Sequence, residues 1–95
     1  MAIGDTIIAM SSVADGAFLD IRPGSGAEWI IHNLFSPDGS DIELHVYNGT
    51  NTILLDSHDG GYLNCRLHPT NSIYYRIKNT SGVAIYIGYD GVVSK

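Results

Sequence analysis

Four histidines offer metal-binding chemistry, but their spacing is unfavourable for a shared site. They are His32, His45, His58 and His68. A metal site in a small β-barrel needs two histidines close together in one strand or loop, usually with an acidic partner, to set the ligand geometry. No two of these histidines have that spacing. We therefore expect ordinary polar side chains on loops and outer faces, with no metal site and no cofactor.

Two short acidic segments, 38–41 and 56–59, place several oxygen ligands around a turn, as calcium loops do. Neither segment has a full series of ligands. Turn formation alone accounts for both compositions, so the sequence predicts no calcium site here.

Catalytic combinations can be drawn from the sequence, but none has a recognisable motif. Glu28 with Glu43 or Asp41 has the residue types of a glycosidase acid/base pair, although nothing places them together. Residues 57–59 read Ser-His-Asp, but adjacency along a chain is not triad geometry. Cys65 has the position of a buried structural thiol. The sequence predicts a protein that is not an enzyme, with a small-barrel enzyme as a minor alternative.

The strongest structural signal is a β-hairpin in the middle of the chain. Ile42, Leu44 and Val46 alternate with polar residues, which is the period of a strand with one buried face. Asn48-Gly49 follows and predicts a two-residue turn, because both residues tolerate positive φ. The apolar face resumes at Ile53 and Leu55.

Alternation and turn residues predict about eight strands at a spacing of roughly 8–12 residues. They cover residues 6–10, 17–22, 28–35, 42–47, 53–56, 62–67, 73–79 and 83–89. In the sixth predicted strand Leu63, Cys65 and Leu67 face inward. Residues 1–16 form an N-terminal arm or edge strand, and residues 17–95 form the domain.

The predicted fold is all-β: an eight-stranded antiparallel β-sandwich, jelly-roll-like. In that topology the first, eighth, third and sixth strands share one sheet, and the second, seventh, fourth and fifth share the other. An immunoglobulin-like sandwich is less consistent with the sequence, because the Cys…Trp…Cys spacing is absent.

Composition limits the classes of partner. The 95 residues contain one cysteine, 16% charged residues and a net charge of −5. Nucleic acids and anionic membranes select basic surfaces, so neither is expected as a partner. No segment reaches the ~18 apolar residues of a membrane helix. The start of the sequence has no basic residues and does not resemble a signal peptide. We expect a protein made in the cytoplasm that is stabilised by subunit contacts.

Four segments resemble those of small structural proteins of tailed bacteriophages: WIIHN at 29–33, YNGTN at 47–51, KNTSG at 78–82 and IGYDGVV at 87–93. The group is that of capsid decoration, or cement, proteins. The resemblance spans about residues 17–95. It implies a jelly-roll domain that trimerises on the capsid exterior of the virion and binds the major capsid protein.

The alternative is a carbohydrate- or receptor-binding β-sandwich of a phage tail or fibre. Its basis is a possible stacking platform for sugar rings made of Trp29, Tyr62, Tyr74 and Tyr86. A glycan array would separate the two hypotheses.

The predicted partner interface combines the N-terminal segment with one outer sheet face. In residues 28–35 we expect Trp29, Ile31 and Phe35 to face inward and Ile30 and Leu34 to face outward. An apolar face with aromatic residues and a single arginine has the composition of an interface core. The predicted interface residues are Ile7, Ile8, Ile30, Leu34, Tyr62, Arg66 and Tyr86.

Overall fold

A computed structural model describes residues 2–62 and 64–95 and contains seven β-strands. They are β1 (Thr6–Val13), β2 (Phe18–Ile21), β3 (Trp29–Phe35), β4 (Asp41–Tyr47), β5 (Thr52–Asp59), β6 (Tyr74–Asn79) and β7 (Ile85–Val93). Among the described residues, no helix has the length and apolar character that crossing a membrane requires. The predicted all-β class is confirmed.

The strands form two antiparallel sheets. One has the order β1-β7-β3 and the other has the order β2-β6-β4-β5. The first strand therefore pairs with the last, from Thr6 opposite Val92 to Val13 opposite Ile85. Apolar side chains from both sheets pack into one core between them.

The predicted strand at residues 62–67 is replaced by isolated bridges to β3. Tyr62 bridges Leu34, Leu67 bridges Ile31, and the next bridge joins Thr70 to Glu28. The backbone of Asn64 has a φ of 56°, a left-handed conformation that an extended strand cannot contain. The prediction for Leu63 lies outside the described residues.

The central hairpin is present, but its turn is longer than predicted. β4 and β5 are joined by residues 48–51, closed by a hydrogen bond from the Asn48 N–H to the Asn51 carbonyl at 3.2 Å. Gly49 has a φ of 91°, which explains glycine at this position. The register shifts between Leu44 and His45, so that β5 contains one extra residue there.

A second irregularity corrects the predicted faces of β3. The register with β7 shifts between Ile31 and Asn33, and every later side chain points to the opposite face from the one predicted. Leu34 is consequently in the core at 1% exposure, whereas Phe35 is only half-buried. The predicted outward position of Leu34 is wrong for this reason.

The positions of Ile7 and Ile73 in the structure also differ from the sequence prediction. Ile7 is buried in the core and Ile8 points outward, because β1 is an integral strand of its sheet. Alternation in the predicted strand 73–79 places Ile73 and Ile77 inward. Ile73 precedes β6 and is exposed, whereas Ile77 is fully buried in agreement with the prediction.

Candidate binding surfaces

The outer surface of the three-stranded sheet is apolar, and we call its exposed part, formed by Ile8, Met10 and Tyr86, the β1–β7 face. These side chains are 69%, 65% and 61% exposed. In the β1–β7 ladder, Met10 lies opposite Gly88 and Ser12 lies opposite Tyr86. Alternation along both strands therefore brings the three large side chains to one side of the sheet.

The same sheet surface continues onto β3 with little charge. Phe35 lies opposite Gly88, where an added Cβ would be only 3.0 Å from the Phe35 ring. Asp90, which also lies on this side, accepts a hydrogen bond of 2.9 Å from the Asn33 amide. Since that carboxylate is paired locally, the exposed part of the surface is dominated by apolar and aromatic groups.

The structure divides the predicted interface residues into three groups. Ile8, Ile30 and Tyr86 belong to the outer side of the three-stranded sheet, with Ile30 half-buried. Ile7 and Leu34 are core residues and are removed from any surface. Arg66 is exposed, and Tyr62 is half-buried between the sheets. Whether the exposed ones contact a partner stays a prediction.

A second apolar surface lies along β5, and we call Ile53, Leu54 and Leu55 the β5 edge. These residues are 61%, 51% and 48% exposed. β5 is the outermost strand of its sheet and pairs only with β4. A shallow apolar groove adjoins it, lined by Val46, Tyr47, Asn48, Asn51, Ile53 and Ile73. Long apolar edge strands are uncommon on isolated soluble domains, because they promote association.

A polar contact ties β5 to the opposite sheet. The Tyr62 hydroxyl donates to the Asp56 carboxylate at 2.8 Å, and the Tyr62 ring stacks on His58 with centroids 4.3 Å apart. Burial, reinforced by the hydrogen bond to Asp56, raises the pKa of the Tyr62 hydroxyl well above its ordinary value of 10.0. The phenol is therefore neutral at physiological pH and acts as a structural donor rather than as a nucleophile.

The outer face of the four-stranded sheet has a different character. The Arg76 guanidinium lies 4.1 Å from the centroid of the Phe18 ring and 4.7 Å from that of Tyr47, and it pairs with Asp20 at 2.8 Å. These contacts hold the cation through stacking and a charge-assisted hydrogen bond. The cation of Arg76 on this surface is therefore already partnered within the chain.

The four aromatic residues expected to form a sugar platform do not share one surface. Trp29 is in the core against Tyr89. Tyr74 is buried beneath Arg22, whose guanidinium lies 4.6 Å from the ring centroid. Tyr86 is on the outer side of the three-stranded sheet. The proposed sugar-stacking geometry is therefore absent.

The candidate catalytic and metal ligands are dispersed. Glu43 contacts His45 at 3.0 Å on the four-stranded sheet, whereas Glu28 approaches Lys95 at 3.7 Å beside β3. Within residues 2–62 and 64–95, no group of three His, Cys, Asp or Glu side chains is arranged to hold a metal ion. Cys65 is half-buried, and burial raises the pKa of its thiol, which opposes thiolate chemistry.

Sequence reasoning missed the β5 edge, although a signal was present. Alternation placed Ile53 and Leu55 inward, but three consecutive large aliphatic residues at 53–55 cannot all face one side of a strand. It also missed Met10 and Phe35, because Met10 was treated as the end of a strand and the bulge in β3 is not visible in the sequence.

No protein-family model matches this sequence, and no curated protein matches it. Among solved structures, the chain is similar to Drosophila NLP-core, whose crystal structure is described in terms of pentamer formation and histone binding. The similarity has a TM-score of 0.52 at 8% identity and covers 93% of this chain and 98% of that chain. At this identity the likeness concerns the fold alone: this chain and NLP-core share an all-β architecture.

Proposed function

We propose that this chain is a non-enzymatic structural protein that self-associates and decorates the exterior of a viral capsid by binding the major capsid protein. The observation that carries the proposal is the β1–β7 face, where Ile8, Met10 and Tyr86 are exposed on a sheet surface with little charge. Apolar and aromatic surfaces of this kind are typical of the centres of protein interfaces. The resemblance of the sequence to phage decoration proteins supplies the class of partner.

A jelly-roll interpretation of the fold supports this proposal. The sheet order β2-β6-β4-β5 has the arrangement expected for one jelly-roll sheet. The order β1-β7-β3, extended by the bridges from 62–70, has the arrangement expected for the other. We interpret segment 62–70 as the irregular equivalent of the missing strand. Jelly rolls recur in viral capsid proteins, which makes the interpretation compatible with a virion role.

Self-association is supported by the exposed apolar groups of both sheets. The decoration-protein resemblance implies a trimer, and the structural neighbour NLP-core is described as a pentamer. Light scattering of the purified chain measures its mass against the 10.3 kDa of one copy. We expect a multiple of this mass that is independent of concentration in the micromolar range. A mass of one copy at every concentration would remove self-association from the proposal.

Capsid binding is tested on the virus that encodes the chain. Quantitative mass spectrometry of purified particles should detect this protein in a copy number comparable with that of the major capsid protein. Tyr86→Asp should reduce the amount retained on particles while leaving the β-sheet circular dichroism unchanged. Detection at the low copy number of tail proteins would instead favour the tail or fibre alternative.

A further inference from the structure

Two long strand edges are free in this fold, and they are of equal length. β1 and β5 each contain eight residues, and each pairs with a neighbour on one side only. The remaining edges differ: β2 has four residues, and the outer side of β3 is occupied by the bridges from 62–70. Within residues 2–62 and 64–95, only β1 and β5 therefore offer a long edge to another strand.

The backbone of β5 has hydrogen-bonding groups directed outward beside its apolar residues. The Asn48 N–H bonds to the Asn51 carbonyl, and Ile53 lies opposite Val46. Because backbone groups alternate sides along an antiparallel strand, the N–H and C=O of Leu54 point away from β4. No turn or loop among the described residues bonds to them.

β1 has the same arrangement at its centre. The Val93 N–H bonds to the Asp5 carbonyl. The backbone N–H and C=O groups of the odd-numbered residues of β1 therefore point toward β7. The N–H and C=O of Met10 consequently point to the free edge. All eight residues of β1 are uncharged.

We propose that the β5 edge of one copy pairs with the free edge of β1 in a second copy, head to tail. This inference rests on the self-association in the proposed function and names the contact that produces it. Because β1 has no carboxylate, it can lie beside Asp56 and Asp59 without like-charge repulsion, whereas a second β5 would add two more acidic residues.

The ability of the assembly to close into a ring is a further reason to expect β1, rather than a second β5, beside the β5 edge. Pairing of β5 with β5 would satisfy one edge in each copy and leave both β1 edges exposed. Head-to-tail pairing uses both edges of every copy and generates a ring when the rotation closes. The ring would leave neither apolar edge free to recruit further chains.

The test uses one proline on each edge. Leu54→Pro and Met10→Pro each remove an N–H that points to solvent in the single chain, so the chain's own ladders are retained. We expect each variant alone to have the mass of one copy. An equimolar mixture should have twice that mass, because the intact β1 of one variant pairs with the intact β5 of the other.

Matched variants keep the test decisive. Circular dichroism monitors folding, and Leu54→Lys and Met10→Lys replace any proline variant that unfolds, with the same readouts. Val83→Lys changes an equally exposed aliphatic residue in the β6–β7 loop and should retain the wild-type mass.

Three outcomes would overturn the inference. Wild-type mass in both edge variants would show that the edges are unused, while self-association itself would stand. A dimer of Met10→Pro alone, with monomeric Leu54→Pro, would show that β5 pairs with β5. A monomeric wild-type protein would remove the proposed self-association together with this contact.

Discussion

At the scale of single residues, Gly49 has a backbone conformation that favours glycine. Its φ is 91°, and an added Cβ would meet no atom within 4 Å. Any penalty for substitution is therefore conformational rather than steric. We predict that Gly49→Val lowers the free energy of unfolding by about 1–3 kcal/mol, because a β-branched residue is disfavoured at positive φ.

Gly49→Asn is the matched control for this prediction, since asparagine tolerates the left-handed region. Thermal melts should place it between the wild type and Gly49→Val. Equal melting temperatures for all three proteins would contradict the argument from φ.

Asn79 is a buried polar residue with every side-chain group in use. Its Nδ2 donates to the Val13 carbonyl at 2.8 Å and to the Val83 carbonyl at 2.7 Å, and its Oδ1 accepts from the Ser81 N–H at 2.9 Å. We predict that Asn79→Ala destabilises the fold by on the order of 3 kcal/mol, because buried partners lose their hydrogen bonds. Urea unfolding measures the loss.

The exposed Asn51→Ala variant provides the comparison and should change stability by less than about 0.5 kcal/mol. If the two alanine variants unfold at the same urea concentration, the buried network does not contribute to stability.

At the scale of elements, the bulge in β3 determines which side chains belong to the core. Ile30 precedes the register shift and lies on the outer side of the sheet, whereas Leu34 follows it and is buried. We predict that Leu34→Asp abolishes the folded state, since a buried unpaired carboxylate costs more than the domain can lose. Ile30→Asp should retain the β-sheet signal in circular dichroism. A folded Leu34→Asp variant would instead place the residues after Ile31 in the predicted register, in which Leu34 faces outward.

The sequence predicted the elements whose apolar residues occupy one face. Ile42 and Leu44 in β4 and Ile77 in β6 are buried as their alternation indicates. β3 could not be assigned to faces in this way, because its apolar residues occur at both parities and a bulge reverses them midway.

The candidate surfaces were predictable to a smaller extent. Ile30 and Tyr86 were placed outward in agreement with the structure, whereas Ile8 was assigned to the interface together with Ile7, without a distinction between their faces. The exposure of β5 depends on which strand ends the sheet, and that is a property of the assembled topology. The left-handed backbone of Asn64, which interrupts the predicted strand at 62–67, is likewise permitted but not required by its residue type.

At the scale of the whole molecule, contacts between the sheets link stability to alkaline pH. Burial raises the pKa of the Tyr62 and Tyr89 hydroxyls and of the Cys65 thiol. A raised pKa in the folded state means that stability is complete below the unfolded pKa and is lost as pH rises toward the folded value. We predict that the melting temperature falls above about pH 9, where these groups begin to ionise in the unfolded chain.

Tyr62→Phe separates the contribution of this phenol from the others. It loses the hydrogen bond to Asp56, so its melting temperature at pH 8 should be lower than that of the wild type. Its further decrease between pH 8 and pH 11 should be smaller. An identical pH dependence in the two proteins would exclude Tyr62 as a source of the alkaline loss.

The pairing of β1 with β7 also has a consequence during protein synthesis. Thr6 lies opposite Val92, so β1 has no partner until β7 has left the ribosome. Until then, the apolar residues of β1 stay accessible to chaperones and to other nascent chains. The hairpin of β4 and β5 can form early, but closure of the three-stranded sheet has to wait for the synthesis of β7. Such distant pairing also slows folding, as in other β-sandwiches.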